Sequence, residues 1–142
     1  MNIKNIGNTI MQFSINRIIE IFALTIIILG IFLVVALLSY SPDDPNFIFP
    51  KNTEIKNLLG FQGSYISDLF FQSTGLISYL VPLTFIFTGI NIFKNKNFFL
   101  IIENIFFLIL YLIVGSLFLS LFYNNNFVLY INGSGGFVGN YL

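Results

Sequence analysis

The side chains able to do chemistry are few in this chain of 142 residues. There is no His, which removes the commonest general base and metal ligand. There is no Cys, so neither thiolate chemistry nor a disulfide framework is available. What remains is a handful of carboxylates: Asp43 and Asp44 in the stretch S-Y-S-P-D-D-P-N-F (39–47), then Asp68 and Glu103. Glu103 and Asp68 lie close to apolar runs, where an acid marks an ion pathway by default. Each also has a simpler reading. Glu103 sits near a helix start within reach of interfacial water or Lys96, and Asp68 suits a helix N-terminus electrostatically. Val128–Ile131 followed by Gly133 and Gly135 mimics the entry to a dinucleotide loop. The glycines do not fit G-x-G-x-x-G, however, and no βαβ unit has room to follow. No G-x-x-x-x-G-K-[ST] occurs. Asn132-Gly-Ser matches a glycosylation acceptor by chance. The expectation is no catalytic residue, no metal ligand and no cofactor.

Composition explains the scarcity. The chain is 56% hydrophobic and only 8% charged. A soluble domain carries about 25% charged residues. So few charges cannot coat a water-facing surface, and lipid must be the main solvent. The net charge is zero, which offers no electrostatic basis for direct nucleic-acid binding.

The elements follow from the charges and breakers. Met1–Asn16 is polar with a stripe of Ile3, Ile6, Ile10 and Phe13; it reads as a tail over 1–17, or as a short amphipathic segment in the membrane interface. Ile21–Leu38 is an unbroken apolar run, and it is no signal peptide. A first spanning helix is expected over 18–39, since about 20 apolar residues cross the hydrocarbon. Gly30 in its middle permits close helix contact. Tyr40 then sits at the interface, Pro42 and Pro45 stop the helix, and Asp43 and Asp44 hold the turn in water. A loop covers 40–63, with Lys51, Glu54 and Lys56 solvated and Gly60 and Gly63 bracketing a turn. A second helix is expected over 64–93, kinked by Pro82. Thr74–Ser78 and Thr84–Thr88 give it small polar faces. A turn at 94–97 leads to a third helix over 98–123, ended by Asn124–Asn126. Residues 124–142 form an outer segment. There Gly135 and Gly139, with Phe137, Val138, Tyr141 and Leu142, start a fourth helix too short to span, disordered or flat in the interface. The fold class is therefore an all-α membrane protein: three transmembrane helices and the start of a fourth.

Lys4, Arg17, Lys94 and Lys96 fall on one side, which the positive-inside rule assigns to the cytoplasm. The N-terminus is then inside, with 40–63 and 124–136 outside.

Three stretches resemble the N-terminal membrane domain of the FtsK/SpoIIIE family of septal DNA translocases: 39–47, 57–83 (N-L-L-G-F-Q-G-S-Y-I-S-D-L-F-F-Q-S-T-G-L-I-S-Y-L-V-P-L) and 133–139 (G-S-G-G-F-V-G). That family is similar in its Ser-Tyr-x-x-x-Asp-Pro turn, in an Asp ahead of a Pro-bearing helix, and in a Gly-rich segment before a fourth helix. The resemblance implies a bacterial inner-membrane anchor that oligomerises a translocase at the division septum, in contact with lipid, further copies and septal membrane proteins. It also implies that the ATPase motor lies outside this chain, which holds three helices and the first turns of a fourth. Two other classes compete: a three-helix subunit of a respiratory or ion-translocating complex, and a small pore-former. The first needs charged groups at helix centres, and the second a polar stripe on one helix. Neither is present.

Overall fold

The apolar run before Ser39 forms α1, Ile3–Leu38, a helix of 36 residues. The computed structural model describes residues 3–45, 54–123 and 133–142, with side chains from residue 7 onward. Readings that fell on Asn46, Phe47, Lys51 and 124–132 lie outside the described residues. The helix begins well before the expected 18. Once a helix is nucleated, each further residue adds a hydrogen bond at small cost, and nothing between Lys4 and Arg17 breaks it. Residues 3–16 therefore belong to the same helix as the span and do not form a separate element. At the other end the ladder closes at Ser39, whose N–H and hydroxyl both donate to the Val35 carbonyl, at 3.1 and 2.6 Å.

The second expected helix is two helices. α2 runs Gly60–Thr74, a 3-10 turn covers Gly75–Tyr79, and α3 runs Leu80–Asn95. Gly60 and Gly63 do not bracket a turn; α2 begins at Gly60 and passes through both. Nor does Pro82 kink a helix centre. It is the third residue of α3, where an N–H has no intrahelical partner to lose. The break falls upstream at Gly75, whose φ of 65° an L side chain rarely adopts.

α3 packs antiparallel on α1 along its length. Lys96 Nζ lies 2.6 Å from Glu20 Oε1, and Arg17 also bonds Glu20. A Cβ on Gly89 would lie 2.5 Å from Ile27 and 2.8 Å from the Ala23 carbonyl. One on Gly30 would lie 3.1 Å from the Pro82 carbonyl. The Tyr79 hydroxyl reaches the Leu37 carbonyl at 3.4 Å. Absent side chains at Gly30 and Gly89 let the two backbones approach, as small residues do between membrane helices.

α4, Leu100–Tyr123, returns along α3. Asn104 Nδ2 donates to Thr88 Oγ1 at 3.0 Å, and the hydroxyls of Thr84 and Tyr111 bond each other. Both α3 threonines of the expected polar face thus serve α4. Among the described residues of α4 only Leu108 and Ser116 are buried. The six-residue α5, Gly136–Tyr141, packs on α4 and α2. This corrects the expectation of a disordered C-terminal stretch: its glycines allow backbone contact with α4, so it is docked.

Three helical stretches are long and apolar enough to cross a membrane: Gly7–Leu38, Gly60–Asn95 and Leu100–Tyr123. The middle one contains the break. Within it α3, preceded by the 3-10 turn, matches α1 from Leu37 to Glu20 and is the crossing part.

Candidate functional site

Most of the buried polar residues gather at the Tyr40 end of the bundle. The chain turns after α1 through Ser41–Asp44, where the Asp44 N–H donates to the Ser41 carbonyl at 3.2 Å. Asp44 is buried, and its two carboxylate oxygens accept the backbone N–H groups of Lys56 and Asn57, at 2.9 and 2.8 Å. Asn57 in turn donates its side-chain amide to the carbonyls of Ala36 and Ser39, at 2.9 and 3.3 Å. Those are carbonyls at the end of α1, where no further helix turn exists to take them. The Asn57 oxygen accepts the Leu59 N–H at 3.0 Å. One side chain therefore ends α1 and starts α2.

Beyond this point the 39–45 strand of chain runs beside α2. Ser64 Oγ donates to the Pro45 carbonyl at 2.9 Å. The Tyr40 hydroxyl donates to Asp68 Oδ1 at 3.2 Å. Phe71 lies between the rings of Tyr40 and Tyr79, with centroids 4.7 and 5.3 Å away. Gly63 is needed because a Cβ there would sit 2.2 Å from Asn57 Oδ1. Pro42 and Asp43 stay exposed, and Asp43 pairs with Lys56 Nζ at 3.3 Å.

α2 consequently buries its polar face. Ser64, Ser67, Asp68 and Thr74 are buried, whereas Phe61, Ile66 and Leu69 are exposed. Its N-terminal half is held to Pro45 through Ser64, its middle to Tyr40 through Asp68, and its last residue, Thr74, to Ser116 of α4.

A second junction closes the break after α2. Ser116 Oγ donates to the Thr74 carbonyl at 3.0 Å, and Ser78 Oγ to the Phe70 carbonyl at 2.8 Å. The Leu76 N–H donates to the Ser134 carbonyl at 3.0 Å. Broken helices persist at membrane depth when neighbours satisfy the freed backbone groups in this way. Gly75 and Gly136 meet backbone to backbone: a Cβ on Gly136 would lie 2.5 Å from the Gly75 nitrogen. Gly135 and Gly139 ride on Ser116, whose carbonyl a Cβ would approach to 2.5 and 2.4 Å.

Of the residues singled out in the sequence, Tyr40, Pro42, Asp43, Asp44, Pro45, Gly60, Gly63 and Asp68 thus belong to one neighbourhood. Gly135 and Gly139 belong to the second junction, and Pro82 stands apart, inside the α1–α3 contact. Asn57, Ser64, Gly75 and Ser134 were not singled out as single residues, whereas Ser116 was expected, with Gly115 and Ser120, on a small-residue face of the third helix, and it is buried there. Gly75 gave a local signal, a glycine inside a helical pattern. Lys96 pairs with Glu20 and not with the Glu103 envisaged for it. Among the described residues no cluster of acids that could hold a metal occurs, and every buried side-chain nitrogen or oxygen has a hydrogen-bond partner.

A buried acidic turn, a broken second span and a docked Gly-rich segment occur here in one order. The sequence profile of the 4TM region of DNA translocase FtsK/SpoIIIE matches residues 16–142. The chain belongs to the FtsK/SpoIIIE membrane-region family. DNA translocase FtsK of Rickettsia prowazekii is 35% identical over 89 residues, which cover 61% of this chain and 12% of that protein. DNA translocase FtsK of Rickettsia typhi is 35% identical over 69 residues, covering 49% and 9%. DNA translocase FtsK of Shewanella oneidensis is 29% identical over 93 residues, covering 64% and 10%. The matched part is thus about a tenth of the length of these FtsK relatives. No solved structure matches the chain. Family and apolar helices together make this a multi-pass membrane domain of the FtsK type.

Proposed function

We propose that this domain anchors and oligomerises an FtsK-like translocase in the bacterial inner membrane at the division septum, in support of cell division and chromosome segregation. The observation that carries the reading is α4. Its polar side chains Asn104, Tyr111 and Ser116 turn to α3 and α2, while Ile102, Phe106, Phe107, Val114, Phe118 and Leu121 are all at least half exposed. A wide apolar helix face belongs in lipid or against other helices. Most of that face is left for lipid and for further copies. ATP hydrolysis and DNA contact are assigned to parts of such a translocase outside this domain, in keeping with the missing phosphate-loop motif and the zero net charge.

The basic residues support an N-in orientation. Arg17 and Lys96 cluster at one end, with Lys94 close by, and the acidic turn Asp43–Asp44 occupies the other. In this orientation the Tyr40 junction faces the periplasm.

A fluorescent fusion of the chain in dividing cells tests the reading, together with pull-down of a tagged copy from membranes. Accumulation at midcell with recovery of septal membrane proteins is expected. Even distribution over the envelope, with tagged chain recovered alone, contradicts it.

A further inference from the structure

Beneath α2 lies a groove of about 620 Å³. Its walls are Leu29 and Leu33 of α1, Ile66 and Leu69 of α2, and Phe85 of α3. Gln62 is the one lining side chain with a polar head. Two of the three walls belong to spanning helices. Phe85 neighbours Ile86, which meets Gly30 in mid-span, so the groove reaches well below the Tyr40 end. The third wall is the outward apolar face of α2, turned there because its polar face is spent on Pro45, Tyr40 and Ser116.

We infer that this groove is a binding site for one acyl chain of a membrane phospholipid. Its volume lies within the range of about 300–1,000 Å³ typical of small-ligand sites. Eleven residues line it. A stable protein interface takes about 20–30 residues a side, so the groove is too small to be the seat of a second copy. No charged group lines it to hold a headgroup. Leu29 and Leu69, about half exposed, open it onto the apolar outer surface of the helices, where acyl chains lie. An aqueous ligand would have to cross hydrocarbon to enter, whereas an acyl chain is already there. The filled groove would support α2 from below.

Full-length chain in vesicles of phosphatidylethanolamine and phosphatidylglycerol, doped with a phospholipid bearing an acyl diazirine, tests this after irradiation and peptide mapping. Leu29 and Leu69 are 49% and 57% exposed, while Val114 and Phe118 on α4 are 59% and 50% exposed, so accessibility alone labels them equally. Adducts on Leu29 and Leu69 are expected to exceed those on Val114 and Phe118 about ten-fold, the ratio given by a preference of roughly 1.4 kcal/mol. Leu33→Trp and Ile66→Trp, which fill the groove from opposite walls, should each bring Leu29 and Leu69 down to the α4 level and leave Val114 unchanged. Equal labelling of all four positions in the unaltered chain overturns the site. So does disulfide capture between Leu29→Cys copies at the expense of the lipid adducts, which would make the occupant a second chain.

Discussion

The backbone N–H of Asn57 donates to the carboxylate of Asp44 at 2.8 Å, and both residues are buried. That bond ties the end of α1 to the start of α2 across the whole connecting loop. Asp44 is the C-terminal member of an acid pair whose partner, Asp43, stays in water. One acid of the pair therefore fixes the turn, and the other keeps it solvated.

Asp44→Ala should destabilise the domain by about 3 kcal/mol, since it strands two buried N–H groups that met a charged acceptor. Asp44→Asn keeps one acceptor oxygen and should lose less. Asp43→Ala should change stability by less than about 1 kcal/mol, because its pairing with Lys56 is exposed. Detergent-titrated unfolding followed by circular dichroism measures all three. Equal losses for Asp43→Ala and Asp44→Ala would refute the division of roles.

Gly75→Ala should undock α5. The new Cβ would sit 2.0 Å from the Ser134 carbonyl, at a φ of 65° that costs a non-glycine residue about 1–3 kcal/mol. The expected readout is faster amide exchange across residues 134–142 with α1 and α3 unchanged. Unchanged protection in 134–142 would mean that the glycine contact does not hold α5.

Gly89→Leu should separate α1 from α3, since even a Cβ meets the Ala23 carbonyl at 2.8 Å. Overpacking of this kind costs about 1–3 kcal/mol. A double-cysteine cross-link between Ala23 and Gly89 neighbours, Ile27 and Ile92 for example, should fall in yield in the Gly89→Leu chain. An unchanged yield would show that the helices do not depend on this contact.

The chain has no Cys, so single substitutions can map its topology cleanly. In the proposed N-in orientation, Lys56→Cys and Gln72→Cys should both react with a membrane-impermeant thiol reagent added from outside. Lys94→Cys should react only after the membrane is opened. Labelling of Lys94→Cys from outside would invert the orientation. Protection of Gln72→Cys alone would place the end of α2 inside the bilayer.

The class of the fold was legible because composition settles it: too few charges to cover a soluble surface leave lipid as the solvent. The C-terminal end of α1 and the start of α4 were legible where Pro42 and the polar turn at Lys94–Asn97 interrupt apolar runs. The course of the middle stretch was not. Gly60–Asn95 is one apolar pattern by hydropathy, and Pro82 is its obvious breaker, yet the backbone turns at Gly75. What decides between them is tertiary. Ser116 and Ser134 satisfy the groups freed at Gly75, and both come from elsewhere in the chain. The inverted face of α2 was illegible for the same reason, since the partners of its polar residues are Pro45, Tyr40 and α4. Asn57 gave no periodic signal, and its role follows only from the approach of Ala36 and Ser39.

Self-association is the most direct test of the account. Single-molecule photobleaching of fluorophore-labelled chain in dilute lipid vesicles, at several protein-to-lipid ratios, counts copies per assembly. The domain should bleach in multiple steps, and a charged substitution at Phe106 or Val114 on the exposed face of α4 should reduce the count while the chain still inserts. Single-step bleaching at every ratio would contradict an oligomerising membrane domain.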